Sequence, residues 1–263
     1  MKKLLIMCAD DYALSPSVDD GIIHLIKQGR LTATSCLVLS PRWNEAAKRI
    51  TSEIRAQADI GLHLDFTQYP QTLKHSLGSL IIRTSLRTLS GKEIRKAIHH
   101  QLDCFESALG ASPDYVDGHQ HVHQLPQIRN ALIETLGQRY KDQLPWIRIA
   151  NPPAGSGFKA FVIRTLGANA LSKLARQHGF ESNRRLLGIY AFNEDATGYY
   201  EKLNGWLAAA TSGDAFMCHP SINHNEIKDD PISTARKVEF DVLTDSRVAE
   251  ILNKHQLVLS RYP

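Results

Sequence analysis

Short apolar runs alternate along the chain with segments in which apolar residues recur every three to four positions. Residues 4–9 form the first run, an unbroken apolar stretch that predicts a strand buried on both faces. Residues 18–28 follow with one apolar face, which predicts an amphipathic helix ending at Gly29. The same reasoning predicts further strands at residues 31–39, 59–64, 116–123, 146–150, 186–191, 214–219 and 257–260. Further helices are predicted at residues 44–54, 90–109, 126–140, 158–177, 194–207 and 238–252.

This alternation of strands and helices is typical of a parallel sheet joined by right-handed crossovers. We find no internal repeat and no stretch with the composition of a linker, so we expect residues 1–263 to form a single α/β domain. A chain of 263 residues is long enough to bury a substantial core. The unusual polar residues fall at the carboxyl ends of predicted strands, which is the active face of a (β/α) barrel.

The segment 117–123, with the sequence DGHQHVH, gathers three histidines and an aspartate. Alternate side chains of a strand share a face, so we predict that His119, His121 and His123 point the same way as Asp117 if the strand continues through them. Imidazole is a leading ligand for divalent transition metals, and histidines that do not bind the ion often support those that do. The alternative interpretation is that this segment is a polar strand end whose histidines have hydrogen-bond partners and bind no metal.

Ionisable residues also mark four other predicted strands. Asp10 and Asp11 follow the strand at residues 4–9, and His63 lies near the end of the strand at residues 59–64. Arg148 lies in the strand at residues 146–150, and His219 ends the strand at residues 214–219. Two adjacent buried carboxylates are costly unless a cation or hydrogen bonds meet them, although a turn or helix cap would also use them. A lone strand histidine is usually structural, but the gathering of these residues in one topological place favours a shared site.

An aspartate with two histidines offers one oxygen and two nitrogen ligands, a set that suits Zn²⁺ and also Mg²⁺, Mn²⁺ or Co²⁺ when water completes the coordination. Such a site polarises a carbonyl and activates water, while a neighbouring carboxylate acts as general base and an opposing histidine as general acid. This chemistry predicts metal-assisted hydrolysis, but the spacing does not identify the bond. A phosphoesterase, an amidohydrolase, a non-haem iron enzyme and a non-catalytic metal- or sugar-binding module remain alternatives.

Composition and charge narrow the classes of function and the location that fit this sequence. The net charge is +4, but the basic residues are scattered and no nucleic-acid-binding motif is present, so we predict no nucleic-acid partner. The four cysteines are far apart, which argues against a disulfide framework, and no phosphate-binding loop or Gly-x-Ser-x-Gly motif occurs. The N-terminal apolar run is too short for a signal peptide and no run approaches transmembrane length, so we expect a cytoplasmic protein.

An ordered set of short motifs resembles the YdjC-like carbohydrate deacetylases, a family that includes the chitooligosaccharide deacetylases. The motifs are ADDYALS at 9–15, GII at 21–23, GRLTATS at 29–35, GLHL at 61–64, DGHQHVH at 117–123, MCHP at 217–220 and EFDVLT at 239–244. Each motif alone is modest evidence, but the motifs occur in the same order as in the family and together span nearly the whole chain. The sequence departs at Tyr12 and Ala13, where Phe-Gly is usual, and residues 67–89 and 152–185 match nothing assignable.

The resemblance implies an irregular (β/α) barrel, related to polysaccharide deacetylases, that hydrolyses the N-acetyl group of an amino sugar to acetate and a free amine. Carried over by position, one divalent metal would be held by Asp11, His63 and His119. Asp10 would be the base and His219 the possible acid. The second shell or substrate pocket would then contain Asp117, His121, His123 and Arg148.

The resemblance also implies a homodimer and a sugar substrate, which is a chitooligosaccharide, another N-acetylated glycan or a glycolipid. The apolar segment 158–174 would suit a lipid-bearing acceptor. An ordinary amphipathic core helix is the commoner origin of such a pattern.

Overall fold

The protein is described here by a computed structural model that covers residues 2–223 and 230–262. The strands are β1 (Lys3–Tyr12), β2 (Ala33–Cys36), β3 (Asp59–Leu64), β4 (Tyr115–Gly118), β5 (Trp146–Ile147), β6 (Leu186–Leu187), β7 (Asp214–Cys218) and β8 (Leu257–Leu259). The helices are α1 (Pro16–Lys27), α2 (Trp43–Ala47), α3 (Ser52–Gln57), α4 (Leu77–Ser85), α5 (Gly91–Leu109), α6 (Ile128–Arg139), α7 (Phe158–Ile163), α8 (Asn169–Gln177), α9 (Ala196–Ala209), α10 (Ser233–Thr244) and α11 (Arg247–Lys254).

The strands form one parallel sheet in the order β5-β4-β3-β2-β1-β7-β6, and β8 pairs with the first residues of β1. The two ends of this order approach each other. Ile147 and Ser182 form an isolated parallel bridge, and the Leu186 N–H donates to the Asn151 carbonyl at 3.0 Å. The sheet therefore curls into an irregular barrel, as predicted, with its carboxyl strand ends at one rim.

β1 is buried on both faces, as its unbroken apolar run predicts. Leu5 and Met7 belong to the larger apolar cluster, which includes Ile22 of α1, while Ile6 and Cys8 belong to a smaller cluster. Consecutive strand residues face opposite sides, so this division follows from strand geometry. β1 is thus anchored on two sides, and its carboxyl end is a rigid platform.

Helix boundaries follow their capping residues. Ser90 accepts the Glu93 N–H at 3.3 Å at the start of α5, and Gly110 ends that helix with a φ of 66°. The prediction of one helix over residues 44–54 is wrong, because α2 and α3 are separate and Thr51 caps the second. Within the described part of the chain, no helix has both the length and the apolarity needed to cross a bilayer.

Two other predicted helices are also divided. Residues 158–177 form α7, a π turn at Arg164–Ala168 and then α8, with a kink at Gly167, whose φ is 135°. Residues 238–252 are shared between α10 and α11, which are separated near Asp245. A left-handed residue cannot continue a right-handed helix, which explains the first of these breaks.

Candidate active site

β1 ends in two adjacent carboxylates, Asp10 and Asp11, which both line one cavity. Neighbouring residues of a regular strand face opposite sides, so the backbone must depart from strand geometry here. It does so at Asp11, whose φ of 69° is in the left-handed region that aspartate tolerates better than most residues. Asp19 then fixes the turn by accepting the Ala13 N–H at 2.7 Å, and the Ser40 hydroxyl donates to the Ala13 carbonyl at 2.7 Å.

Asp11, His63 and His119 bring three potential ligand atoms within 4.8 Å of one another. Asp11 Oδ1 lies 3.4 Å from His63 Nε2 and 3.1 Å from His119 Nδ1. Ligand atoms about 2.1 Å from one ion, in a tetrahedral arrangement, lie about 3.4 Å apart, so these spacings fit a single divalent cation. One carboxylate oxygen and two imidazole nitrogens also match the donor types of zinc and related ions.

Asp117 orients the imidazole of His63. The His63 Nδ1 lies 2.6 Å from Asp117 Oδ1, so the opposite nitrogen, Nε2, faces Asp11. An imidazole held by a carboxylate on one nitrogen is a common support for a metal ligand. Burial lowers the pKa of His63, but the carboxylates of Asp117, Asp11 and Asp10 outweigh burial and raise it to about 10. The site therefore favours a positive charge at this point, which a bound cation would supply.

Arg236 of α10 holds the second oxygen of Asp11. Its Nη2 lies 2.7 Å from Asp11 Oδ2, and its Nε lies 2.7 Å from Asp230 Oδ2. Burial raises the pKa of Asp11, but Arg236 and His119 outweigh it and keep the pKa well below its usual range. The carboxylate is therefore ionised and has one oxygen left for a ligand. The sequence analysis did not identify Arg236.

Asp10 is paired with a buried arginine. Arg148 Nη2 lies 2.7 Å from Asp10 Oδ2, and the same nitrogen contacts Asp117. The Ser35 hydroxyl also donates to Asp117 at 2.5 Å. Arg148 therefore fixes the position of Asp10 relative to the Asp117–His63 pair.

His219 follows β7 on the other side of Asp10, with its Nε2 3.9 Å from Asp10 Oδ2. Its backbone N–H donates to Glu239 at 2.5 Å, and the Tyr190 hydroxyl donates to the other Glu239 oxygen at 2.6 Å. The Phe192 ring meets the imidazole edge to face. Burial lowers the pKa of His219 to about 4, against the opposing effect of Asp10, and burial raises the pKa of Glu239 to about 7.

The prediction that the strand continues through residues 119–123 is wrong. β4 ends at Gly118, and His119–Gln124 forms a 3-10 turn in which Gln120 and His121 have φ values of 52° and 61°. The three histidines therefore do not share a face. His119 meets Asp11, His121 lines the cavity, and His123 is buried with its Nε2 2.9 Å from the Arg148 carbonyl.

Gly118 permits this turn because the chain folds back closely over it. A Cβ at this position would lie 2.9 Å from the His123 backbone nitrogen and 2.9 Å from its Nδ1. We expect Gly118→Ala to lower the free energy of unfolding by about 1–3 kcal/mol, the usual cost of overpacking, and to weaken divalent-metal binding because the turn carries His119. Chemical denaturation and metal titration check both effects.

Gly78→Ala is the matched control, since a Cβ there would meet no atom within 4 Å. It should leave metal binding unchanged and should not lower stability, because alanine is the better helix former at this position of α4. Equal stability of the two variants would contradict the prediction, because it would show that the chain accommodates a Cβ at Gly118 without losing stability.

Several of the residues described above line one cavity of about 700 Å³. Asp10, Asp11, His63, His119 and His219 line its polar end. A volume of this size is typical of sites for small organic ligands. The structure thus brings six sequence-predicted site residues into this cavity, namely Asp10, Asp11, His63, His119, His121 and His219. Arg148, Asp117 and His123 lie among its buried supports.

A family model described as YdjC-like protein matches residues 4–254. The chain belongs to the YdjC-like family. Among its relatives, the chitooligosaccharide deacetylase of Yersinia pestis (strain Pestoides F) is 30% identical over 180 residues, which are 61% of this chain and 69% of the relative. The carbohydrate deacetylase of Mus musculus is 29% identical over 170 residues, which are 58% of this chain and 51% of the relative. The resemblance inferred from the motifs is confirmed.

Solved structures support the fold of this YdjC-like chain. A protein of Enterococcus faecalis V583, described as a cellobiose-phosphate cleavage protein, has a TM-score of 0.74 at 20% identity and covers 100% of this chain and 98% of its own. A family 4 acetyl xylan esterase from Clostridium thermocellum, solved with a cobalt ion, has a TM-score of 0.52 at 10% identity. The match covers 98% of this chain and 88% of the esterase chain. At these identities the likeness establishes a shared fold, related to that of the family 4 carbohydrate esterases.

Proposed function

We propose that this protein is a metal-dependent hydrolase that removes the N-acetyl group from an N-acetylated amino sugar. The observation that carries the proposal is the convergence of Asp11, His63 and His119 beside Asp10, in the cavity that also contains His219. Membership of a family whose relatives are named carbohydrate deacetylases supports the choice of bond. A phosphoesterase or another amidohydrolase would use similar ligands, and a sugar-binding module would not need Asp10.

Asp11, His63 and His119 would hold one divalent ion, Mg²⁺ or Zn²⁺, with Mn²⁺ and Co²⁺ as alternatives. When bound, such an ion polarises an amide carbonyl and lowers the pKa of a water molecule. Asp117 would hold Nδ1 of His63, so that Nε2 faces the ion. Arg236 occupies the other oxygen of Asp11, so that carboxylate cannot act as the base.

Asp10 would accept the proton of the attacking water. Arg148 holds its carboxylate in place, and the oxygen that contacts Arg148 is also the one nearest His219. Because burial lowers the pKa of His219 to about 4, this imidazole is neutral at pH 7 in the free protein. We therefore propose that the proton taken up by Asp10 reaches the leaving amine through His219, which donates it as the carbon–nitrogen bond breaks.

Acetate release from a small substrate panel tests this proposal. The panel contains N-acetylglucosamine, diacetylchitobiose and an N-acetylglucosamine glycolipid, each assayed after metal removal and after restoring each of the four ions. We expect acetate and a free amine from at least one substrate, only with metal present. No acetate from any of them, with metal content verified, would contradict the proposal, and parallel assays with phosphate esters and other amides would identify the bond. A homodimer remains a prediction from the resemblance, and a cytoplasmic location remains a prediction from the sequence.

A further inference from the structure

The cavity that contains the catalytic candidates has a second, apolar end. Leu77 and Ile81 of α4 line it, together with Phe158, Val162 and Leu166 from α7 and the π turn after it. We refer to these five residues as the apolar wall. Four of the five are aliphatic, and Phe158 is the one member of the wall with a ring on which a sugar could stack. None of the five has a group that could bond to a hydroxyl.

Core packing explains only two of the five apolar residues of α7. Of its six residues, only Ala160 and Ile163 are buried, while Phe158 is 82% exposed, Phe161 62% and Val162 36%. Contiguous exposed apolar side chains usually mark a binding surface. The interpretation of the segment as an ordinary core helix therefore fails for α7, although it holds for α8, which buries its apolar side.

The apolar wall is held at a fixed place relative to the metal-ligand candidates. The Gln124 side chain, at the end of the 3-10 turn that carries His119, donates to the Ile163 carbonyl at 2.8 Å. Gly167 packs so closely on the same turn that a Cβ would lie 2.1 Å from the Gln124 carbonyl oxygen. α7 is thus tied directly to the His119 turn.

We propose that the apolar wall binds an apolar group attached to the amino sugar, so that the substrate is an amphiphile whose aglycone is an alkyl, acyl or isoprenoid chain. This inference rests on the proposed function. The occupant of the wall must accompany the acetamide group because both lie in one cavity. A further sugar unit would turn its hydroxyls toward Leu77, Ile81 and Val162, where they would lose their bonds to water without replacement.

The one cation on α7 does not change this picture. The Lys159 ammonium donates to the Tyr190 carbonyl at 2.8 Å and lies 3.9 Å from the centre of the Phe192 ring. The Lys159 ammonium therefore already has two partners within the protein. Burial also lowers the pKa of Lys159.

The test compares methyl and octyl β-N-acetylglucosaminide, the octyl compound being kept below its micelle concentration. We expect kcat/KM for the octyl glycoside to be at least tenfold higher. Phe158→Ser should reduce that ratio at least threefold, whereas Phe161→Ser should preserve it. Phe161 is the matched control because it is the same residue type on the same helix and is also exposed, but it does not line the cavity. Calorimetric binding of both glycosides to Asp10→Asn protein gives the same comparison without turnover.

Each outcome has a distinct meaning. Equal rates on the two glycosides, or a preference for chitotetraose over the octyl compound, would overturn the inference and leave the deacetylase proposal standing. A change of oligomeric state in Phe158→Ser with an unchanged octyl-to-methyl ratio would assign the wall to a second copy of the chain and also overturn it. No acetate from any glycoside would overturn the proposed function, and the inference with it.

Discussion

Replacing Asp10 with asparagine should lower the turnover of the metal-loaded protein by about 10²–10⁴-fold, the usual contribution of a positioned general base. The amide has the same shape and can still accept the Arg148 hydrogen bond, but it cannot take a proton from water. Arg148 also keeps its contact with Asp117, so the fold should survive. Deacetylation kinetics together with metal content by mass spectrometry check the prediction, and the variant should still bind one ion per chain.

Asp20→Asn is the control for this experiment. Asp20 is a partly exposed carboxylate on α1 that pairs with Arg49, away from the cavity, and its replacement should leave turnover unchanged. Near-normal turnover of Asp10→Asn would remove Asp10 from the mechanism. Loss of metal from that variant would instead indicate that Asp10 supports the ion.

The location of the site could be predicted from the sequence, because the carboxyl ends of parallel strands meet at one rim. Asp11 at the end of β1 and His63 near the end of β3 come together for this reason, and His219 reaches the same rim from β7. Ala13, which stands where the family has glycine, takes the left-handed conformation with a φ of 75°. The departure noted in the sequence therefore falls in the turn beside the metal-ligand candidates.

The parts of the site that could not be predicted depend on backbone conformation and on distant contacts. Alternation predicts one face for the three histidines, but the left-handed conformations of Gln120 and His121 reverse the chain after Gly118, and no periodic pattern encodes such a reversal. Arg236 meets Asp11 across 225 positions of sequence. The available signal for Arg236 in the sequence was its spacing from Glu239, because residues three apart on a helix lie on neighbouring parts of one face.

Neither His63→Ala nor Asp11→Ala should bind a divalent ion stoichiometrically, and metal-dependent acetate release should be lost in both. Each replacement removes one of the three donor atoms that lie within 4.8 Å of one another, and two ligands alone do not hold an ion in a catalytic site. The two variants differ in their structural cost. Asp117 keeps two partners, Ser35 and Arg148, when His63 is lost, whereas Arg236 loses its buried pair with Asp11 and keeps Asp230.

Leaving a buried charge without a partner costs about 3–5 kcal/mol, and Asp230 offsets part of that cost for Arg236. Asp11→Ala should still lower the unfolding midpoint, so His63→Ala is the cleaner test of metal binding. His121→Ala is the matched control, because His121 belongs to the same turn as His119 and lines the cavity but offers no donor to the trio. Equilibrium dialysis against Zn²⁺ should give about one ion per chain for the unmodified protein and His121→Ala, and none for His63→Ala. Full metal content in His63→Ala, with its fold confirmed by circular dichroism, would overturn the ligand assignment, whereas loss of the ion in His121→Ala would move the site along the turn.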